Sequence, residues 1–359
     1  MNNQPKDGAI QLPDETSLRY LFRLAGPMIV VYISFTVMQF VDRLMVSRLG
    51  TEALAAVLPA GLVSFLPGSF AVGVMASVNT FVSQSLGRNE KENCSRYCWQ
   101  SIYMGLFYFA VVAMIMWPAA PLIFEKMGHA PEVVHKEVIY LRIMLLSHSF
   151  TTFIWASSQF FMGIHRPSVI MYSAFCGQTV NVIFNYLLIF GKFGFPAMGI
   201  AGEGTGTLIG VFAGGALRMS MFLSGRINNE FKSRSMLRID FKKMINLLKV
   251  GIPAGIELML NVSLWGIILF AIVGRFGKEA MAATSAVIAC THFCVMPIVG
   301  IGTALSAAAG KAIGEKQHEK AVMQTASCLR AGMIYTLIAG SVLLIFREKI
   351  MMGWAPQDA

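Results

Sequence analysis

The chain has 359 residues, 55% of them hydrophobic and only 13% charged, with a mean hydropathy of +0.62. Soluble domains carry about 25% charged residues, so these numbers exclude a soluble globular protein and indicate an integral membrane one. The net charge of +10 does not signal nucleic-acid binding, because the basic residues lie in short loops between apolar runs and lack the aromatic partners on which bases stack.

Residues 1–17 are polar and lack the apolar core of a cleavable signal, which leaves the first span as the targeting signal. Asp14 or Thr16 is placed to cap the helix that follows. The first span, residues 18–50, exceeds the roughly 20 apolar residues needed to cross a bilayer. Tyr32, Phe35, Gln39 and Asp42 recur there at three- and four-residue steps and so share one helical face. A carboxylate at that depth costs about 2.5–3.5 kcal/mol, which makes Asp42 a site candidate. The alternative is an interfacial anchor in which Asp42 pairs with Arg43 or Arg48.

Gly50-Thr51-Glu52 reads as a tight turn, and the second span follows over 53–86 with Pro59 and Pro67 inside it, where kinks are expected. A charged loop at 87–96 precedes a third span over 97–124, and a mixed-charge loop at 125–137 precedes a fourth over 138–163. The fifth span covers 168–190 and the sixth 199–223. A polar, basic stretch at 224–243 separates these from a seventh span at 244–273, an eighth at 281–313 and a ninth at 322–346. With the N-terminus in the cytoplasm, inner loops and flanks hold about fifteen basic residues and outer loops about eight, the bias expected of that orientation.

Polar residues inside the spans fall on faces. Gln178, Asn181 and Asn185 share one face of the fifth span, and their amide oxygens are hard ligands for a small cation. In the sixth, Thr205 and Thr207 sit among glycines that let helices approach closely, while Glu203 reads as a first-turn acid favoured by the helix dipole. In the seventh, Glu257, Asn261 and Trp265 share a face, and no basic residue lies within a turn of Glu257. The six cysteines include two CxxxC pairs, but no fourth ligand completes a zinc set, and packing as small hydrophobes is the better reading. His148 and His292 lie within spans as packed residues or proton carriers. The 24 methionines suit either ordinary packing or an adaptable binding surface. No nucleophile–base pair or phosphate loop is present, so an enzyme is not expected.

The chain repeats. Residues 24–29 (LAGPMI) match 249–256 (KVGIPAGI), and 48–56 (RLGTEALAA) match 275–283 (RFGKEAMAA); Gly73, Gly87 and Glu92 match Gly300, Gly314 and Glu319. The offset is 226 to 227 residues, which implies two like halves of six spans in the same orientation, related by an axis along the membrane normal, with substrate expected between them. The expected domains are an N-lobe at 1–223, a cytoplasmic basic linker at 224–243 and an incomplete C-lobe of three spans at 244–359. Doubling the repeat gives about 450 residues, so a fragment or truncated product of a twelve-span protein is expected. The fold class is therefore an all-α membrane protein of two six-helix repeats about a pseudo-two-fold axis, the second incomplete, with about nine spans.

The stretches GPMIVVYISFTVMQFVDRLMVSRLGTEALAA, SQSLGRNEKE, NVIFNYLLIFGKFGFPAMGIAGEGTGT and GIPAGIELM resemble the multidrug and toxic compound extrusion (MATE) family of antiporters, of the bacterial multidrug efflux type. The resemblance covers the whole chain. It implies an exporter of amphipathic or cationic compounds across the inner membrane, coupled to H⁺ or Na⁺, with an outward-open cavity between the lobes. It also implies a monomer, no cofactor and no metal beyond a bound Na⁺. By the resemblance, Asp42 is the cation-coupling carboxylate of the N-lobe, surrounded by Asn181, Asn185 and Thr207, and Glu257 belongs to a C-lobe site. Many members carry Asp where this chain has Asn185, and the partner acid of Glu257 is expected in a tenth span that this sequence lacks. Tyr32, Gln39, Gln178, Asn261 and Trp265 are the expected substrate-facing residues. The alternatives are a lipid-linked saccharide flippase, ranked second because it needs several Arg or Lys to hold a pyrophosphate where the spans carry few, mainly Arg142 and Arg218, and an inactive membrane fragment or assembly partner.

Overall fold

The structure, a computed structural model, describes residues 18–268, 272–276 and 278–352. The cap positions expected at Asp14 and Thr16 lie outside the described residues. Among the described residues there is no strand, and nine helices are long and apolar enough to cross a membrane. They are α1 (Leu18–Ser47), α2 (Thr51–Gly87), α3 (Lys91–Lys126), α4 (Pro131–Gly163), α5 (Pro167–Phe190), α6 (Ile200–Phe222), α8 (Phe241–Ile267), α9 (Lys278–Gly314) and α10 (His318–Ile345). Two short helices complete the set, α7 (Gly225–Phe231) and α11 (Arg347–Met352).

Helix ends differ from expectation where capping chemistry outweighs charge. Helices α3 and α4 begin within the charged stretches read as loops, because Glu92 and Glu132 sit in first turns where acids favour the helix dipole and Pro131 occupies a first helical position. Helix α2 runs as one element through Pro59 and Pro67. The α-helical part of the seventh span runs to Ile267, Ile268 and Ile272 are π-helical, and a 3₁₀ turn covers Val273–Phe276.

The segment between α6 and α8 is held, not free. The Trp99 indole donates to the Ser233 carbonyl (2.8 Å), Tyr103 Oη to the Leu237 carbonyl (2.8 Å) and Gln100 Nε2 to the Arg238 carbonyl (3.1 Å). Gln100 Oε1 also accepts from the Asp240 amide (2.9 Å), and the Asp240 side chain caps α8 at the Lys243 amide (3.1 Å). Side chains of α3 thus replace the backbone partners a loop lacks.

The first six spans pack as one bundle, with α5 on α6, α4 on α2, α3 and α6, and α1 on α5. Against it, α9 lies on α1 and α8 on α2, while α2 and α9 meet each other. This crossed pairing is what a two-fold axis produces: the first helix of one repeat meets the second of the other, and the reverse. Individual contacts obey it. A methyl group on Gly87 would lie 2.1 Å from the Lys311 carbonyl oxygen, and one on Gly314, 2.3 Å from that of Gln84. Residues 87 and 84 map onto 314 and 311 at the repeat offset, so these are one contact seen twice. A methyl on Gly73 would meet the Ala254 carbonyl at 2.5 Å and Gly255 Cα at 2.6 Å. One on Gly300 would meet Ile29 Cγ1 at 2.8 Å, and Ile29 is the counterpart of Gly255. The repeat read from the sequence is the packing rule of the lobe interface.

Candidate functional site

Four glycines of α6, Gly202, Gly206, Gly210 and Gly214, recur every fourth residue and form one bare ridge. A methyl on Gly206 would lie 2.1 Å from Asn185 Oδ1, and one on Gly210 would lie 2.6 Å from Asn181 Cβ. The ridge lets α5 approach so closely that its two asparagines sit within the bundle, both buried.

Asp42 on α1 is 8% exposed. It pairs with neither Arg43 nor Arg48, both of which are solvent- or lipid-facing. Its Oδ1 instead accepts from Asn185 Nδ2 at 2.8 Å. The same amide group lies 3.4 Å from Asn181 Oδ1, and Asn181 Nδ2 donates to Thr207 Oγ1 at 3.0 Å. The four residues expected to form the N-lobe site therefore make one hydrogen-bonded chain across α1, α5 and α6.

A fifth member was read otherwise. Glu203 is in the first turn of α6, as the dipole reading requires, but it is 6% exposed and points into the same cluster. Its carboxylate lies beside the hydroxyls of Tyr140 on α4 and Thr207 on α6, and near the Asp42 carboxylate. Two buried acceptors in this cluster, Glu203 Oε2 and Asn185 Oδ1, have no hydrogen-bond donor among the described residues. Two acids, two carboxamides and a threonine hydroxyl supply hard oxygens of the kind that hold a small cation. The spacing from Glu203 to Thr207, four residues on one helix face, was the available signal.

The remaining expected residues lie elsewhere. Tyr32 is half-buried, and its hydroxyl lies beside Thr303 of α9, so it belongs to the lobe interface. Gln39 is exposed although it shares a stripe with Asp42, because Asp42 turns toward α5 and Gln39 away from it. Gln178 is half-buried one turn before Asn181. Glu257, Asn261 and Trp265 on α8 are exposed and are not joined to the cluster. At the α1-to-α8 offset of 226, Asn261 and Trp265 occupy the positions of Phe35 and Gln39, so the two lobes present matching exposed faces. Among the in-span histidines, His148 stacks on Phe109 at 5.9 Å and His292 is exposed. The two basic residues weighed for a pyrophosphate are engaged with protein. Arg218 bonds Ser173 Oγ (2.7 Å), the carbonyls of Ile154 (2.9 Å) and Ile170 (3.2 Å), and Ser158 Oγ; Arg142 lies over the Trp117 ring at 5.4 Å.

Two repeats of membrane-spanning helices, the first of which encloses a buried, oxygen-rich cluster, define a multi-pass membrane protein of transporter architecture. The MatE family model matches residues 27–187 and 253–355, and the chain belongs to that family. It is 27% identical over 322 residues to a probable multidrug resistance protein, YoeA, of Bacillus subtilis, covering 89% of this chain and 68% of that protein. It is 27% identical over 337 residues to a probable multidrug resistance protein, NorM, of Chromobacterium violaceum, covering 93% and 72%. Among solved structures, a MATE protein in complex with MaL6 superimposes with a TM-score of 0.85 at 20% identity, covering 95% of this chain and 74% of that one. An outward-facing multidrug resistance MATE transporter of the MOP superfamily gives a TM-score of 0.84 at 21% identity, covering 94% and 73%. These neighbours share the fold, and they are transporters, not enzymes.

Proposed function

We propose that the protein is a cation-coupled antiporter that exports amphipathic or cationic compounds, with H⁺ or Na⁺ taken up at Asp42, Asn181, Asn185 and Thr207. Glu203 is a second carboxylate of that site, and Glu257 is a separate acid on the other lobe. The observation that carries the reading is the buried Asp42, which has no basic partner and joins an amide and hydroxyl chain from two other helices. A carboxylate kept in a membrane without an ion pair is retained for an ion that comes and goes. Ion and drug then weaken each other's binding by the same factor, whichever arrives first. The multidrug names of the relatives support the substrate class, and the excess of basic residues on one side supports a cytoplasmic N-terminus in the inner membrane. The engagement of Arg218 and Arg142 with protein weighs against a saccharide-pyrophosphate flippase.

The test is ethidium or norfloxacin efflux from cells producing the protein, with and without Asp42→Asn. Efflux in the parent and its loss in the variant at equal membrane abundance is the expected result; undiminished efflux in the variant removes Asp42 from the mechanism.

A further inference from the structure

On the side of the membrane where α1 begins, the first turns of α1, the α4–α5 turn and the α6–α7 turn enclose a recess of about 620 Å³. Its polar wall carries three guanidinium groups, Arg23, Arg166 and Arg226, and no lining residue is acidic. Arg166 is partly neutralised by Glu230, whose Oε2 lies 2.5 Å away, but Glu230 Oε1 also serves Lys91 at 3.5 Å. Arg23 and Arg226 are exposed and make no hydrogen bond or ion pair among the described residues. The recess also takes in the start of α5 at Pro167 and Ser168, where no side chain caps the helix, so first-turn amides add to the positive field. Apolar side chains line the recess beside these cations, among them Leu24, Met221 and Ile227.

We propose that this recess binds the headgroup of an anionic phospholipid. The recess holds a net positive charge and its lining combines cationic with apolar side chains, as a phosphodiester with acyl chains attached requires. Its level at the helix ends is the headgroup level of the bilayer, and volumes of this size suit small-molecule sites. A soluble phosphate would use the guanidinium groups alone and leave the apolar lining without a partner. The site lies at the opposite end of α1 from Asp42 and does not depend on the transport reading.

The experiment is native mass spectrometry of the full chain released from detergent with added phosphatidylglycerol or phosphatidylcholine. It compares the parent, Arg23→Gln/Arg226→Gln and Arg23→Lys/Arg226→Lys, and repeats the parent with millimolar inorganic phosphate. The parent should retain phosphatidylglycerol in preference to phosphatidylcholine. The glutamine pair should weaken that retention about thirty-fold, from about fivefold for each arginine charge near the surface. The lysine pair should restore most of it, which separates charge from folding. Equal retention of the two lipids by the parent overturns the proposal. So does unchanged phosphatidylglycerol binding in the glutamine pair, or complete displacement by inorganic phosphate.

Discussion

Replacing Gly87 by alanine tests the lobe interface most directly. The new methyl would lie 2.1 Å from the Lys311 carbonyl oxygen, where ordinary contact begins at 3.4 Å, and its other neighbours, Gly314 Cα and the Glu315 amide, are backbone at 2.9 Å. No side chain can swing aside, so α2 and α9 must part by about 1.3 Å at this end. Overpacking of this kind costs about 1–3 kcal/mol, which moves an equilibrium between two lobe arrangements about 5- to 150-fold away from the one described here. Gly314→Ala meets the mirror contact, 2.3 Å from the Gln84 carbonyl, so its effect should match within a factor of a few. The two glycines touch, so the double variant should fall short of the sum. The assay is a pulsed-EPR distance distribution between spin labels at Asn89 and Gln317, both exposed, on the two lobes near this contact. A longer or broader distribution in each single variant is expected. Unchanged distributions with unchanged melting temperature would refute the close packing. A large effect at Gly87 with none at Gly314 would refute the two-fold pairing.

Three further outcomes follow from the site and its supports. Glu203→Gln keeps the shape of the side chain beside Tyr140 and Thr207 while removing a buried acid; ion-driven efflux should fall at least about tenfold with melting temperature held, and equal efflux would make Glu203 structural only. Arg218→Met removes the donor to two carbonyls and two serine hydroxyls and should destabilise the six-helix bundle by about 2–4 kcal/mol, read as a lowered detergent melting temperature. Gln100→Ala frees the Arg238 carbonyl and the Asp240 amide; tryptic cleavage at Arg234 and Arg238 should accelerate, and an unchanged rate would mean that Trp99 and Tyr103 hold the segment alone.

Much of this was legible in the residues, for identifiable reasons. Hydropathy marks a span because every backbone group in lipid must be paired within its own helix, so length and apolarity suffice to find the nine. The Asp42, Asn181, Asn185 and Thr207 cluster was legible because polar groups in lipid are costly and their helical spacing leaves few places to point. Glu203 was not, because one position served two physical readings: a first-turn acid and a buried ligand look alike until α4 supplies Tyr140. Tyr32 and Gln39 failed differently. Spacing puts them on Asp42's face, but a helix touches several neighbours along its length, and here Tyr32 meets α9 while Gln39 is exposed. The anchoring of the basic linker at 224–243 was not legible, because its partners, Trp99, Gln100 and Tyr103, lie on a helix more than a hundred residues earlier.

The symmetry of the packing and the asymmetry of the chemistry meet on α1. At the offset that pairs α1 with α8, Asp42 corresponds to Ile268, so the second repeat supplies the mechanical counterpart of α1 without its carboxylate. Yet α1 is also an interface element: Ile29 packs against Gly300, and the Tyr32 hydroxyl lies beside Thr303, both on α9. The Asp42 cluster and the lobe contact therefore share one helix, ten residues apart from Tyr32 to Asp42. A charge entering at Asp42 changes what α1 gains from lying against α5 and α6, and any shift or bend of α1 must be met at Ile29 and Tyr32. Coupling needs an element with two arrangements that both sites bias. Helix α1 carries Pro27 within it, one of the few causes of bending in a membrane helix, between its start and both of those contacts. On the proposed function, it is the element through which an ion bound wholly within one lobe would act on the position of the other.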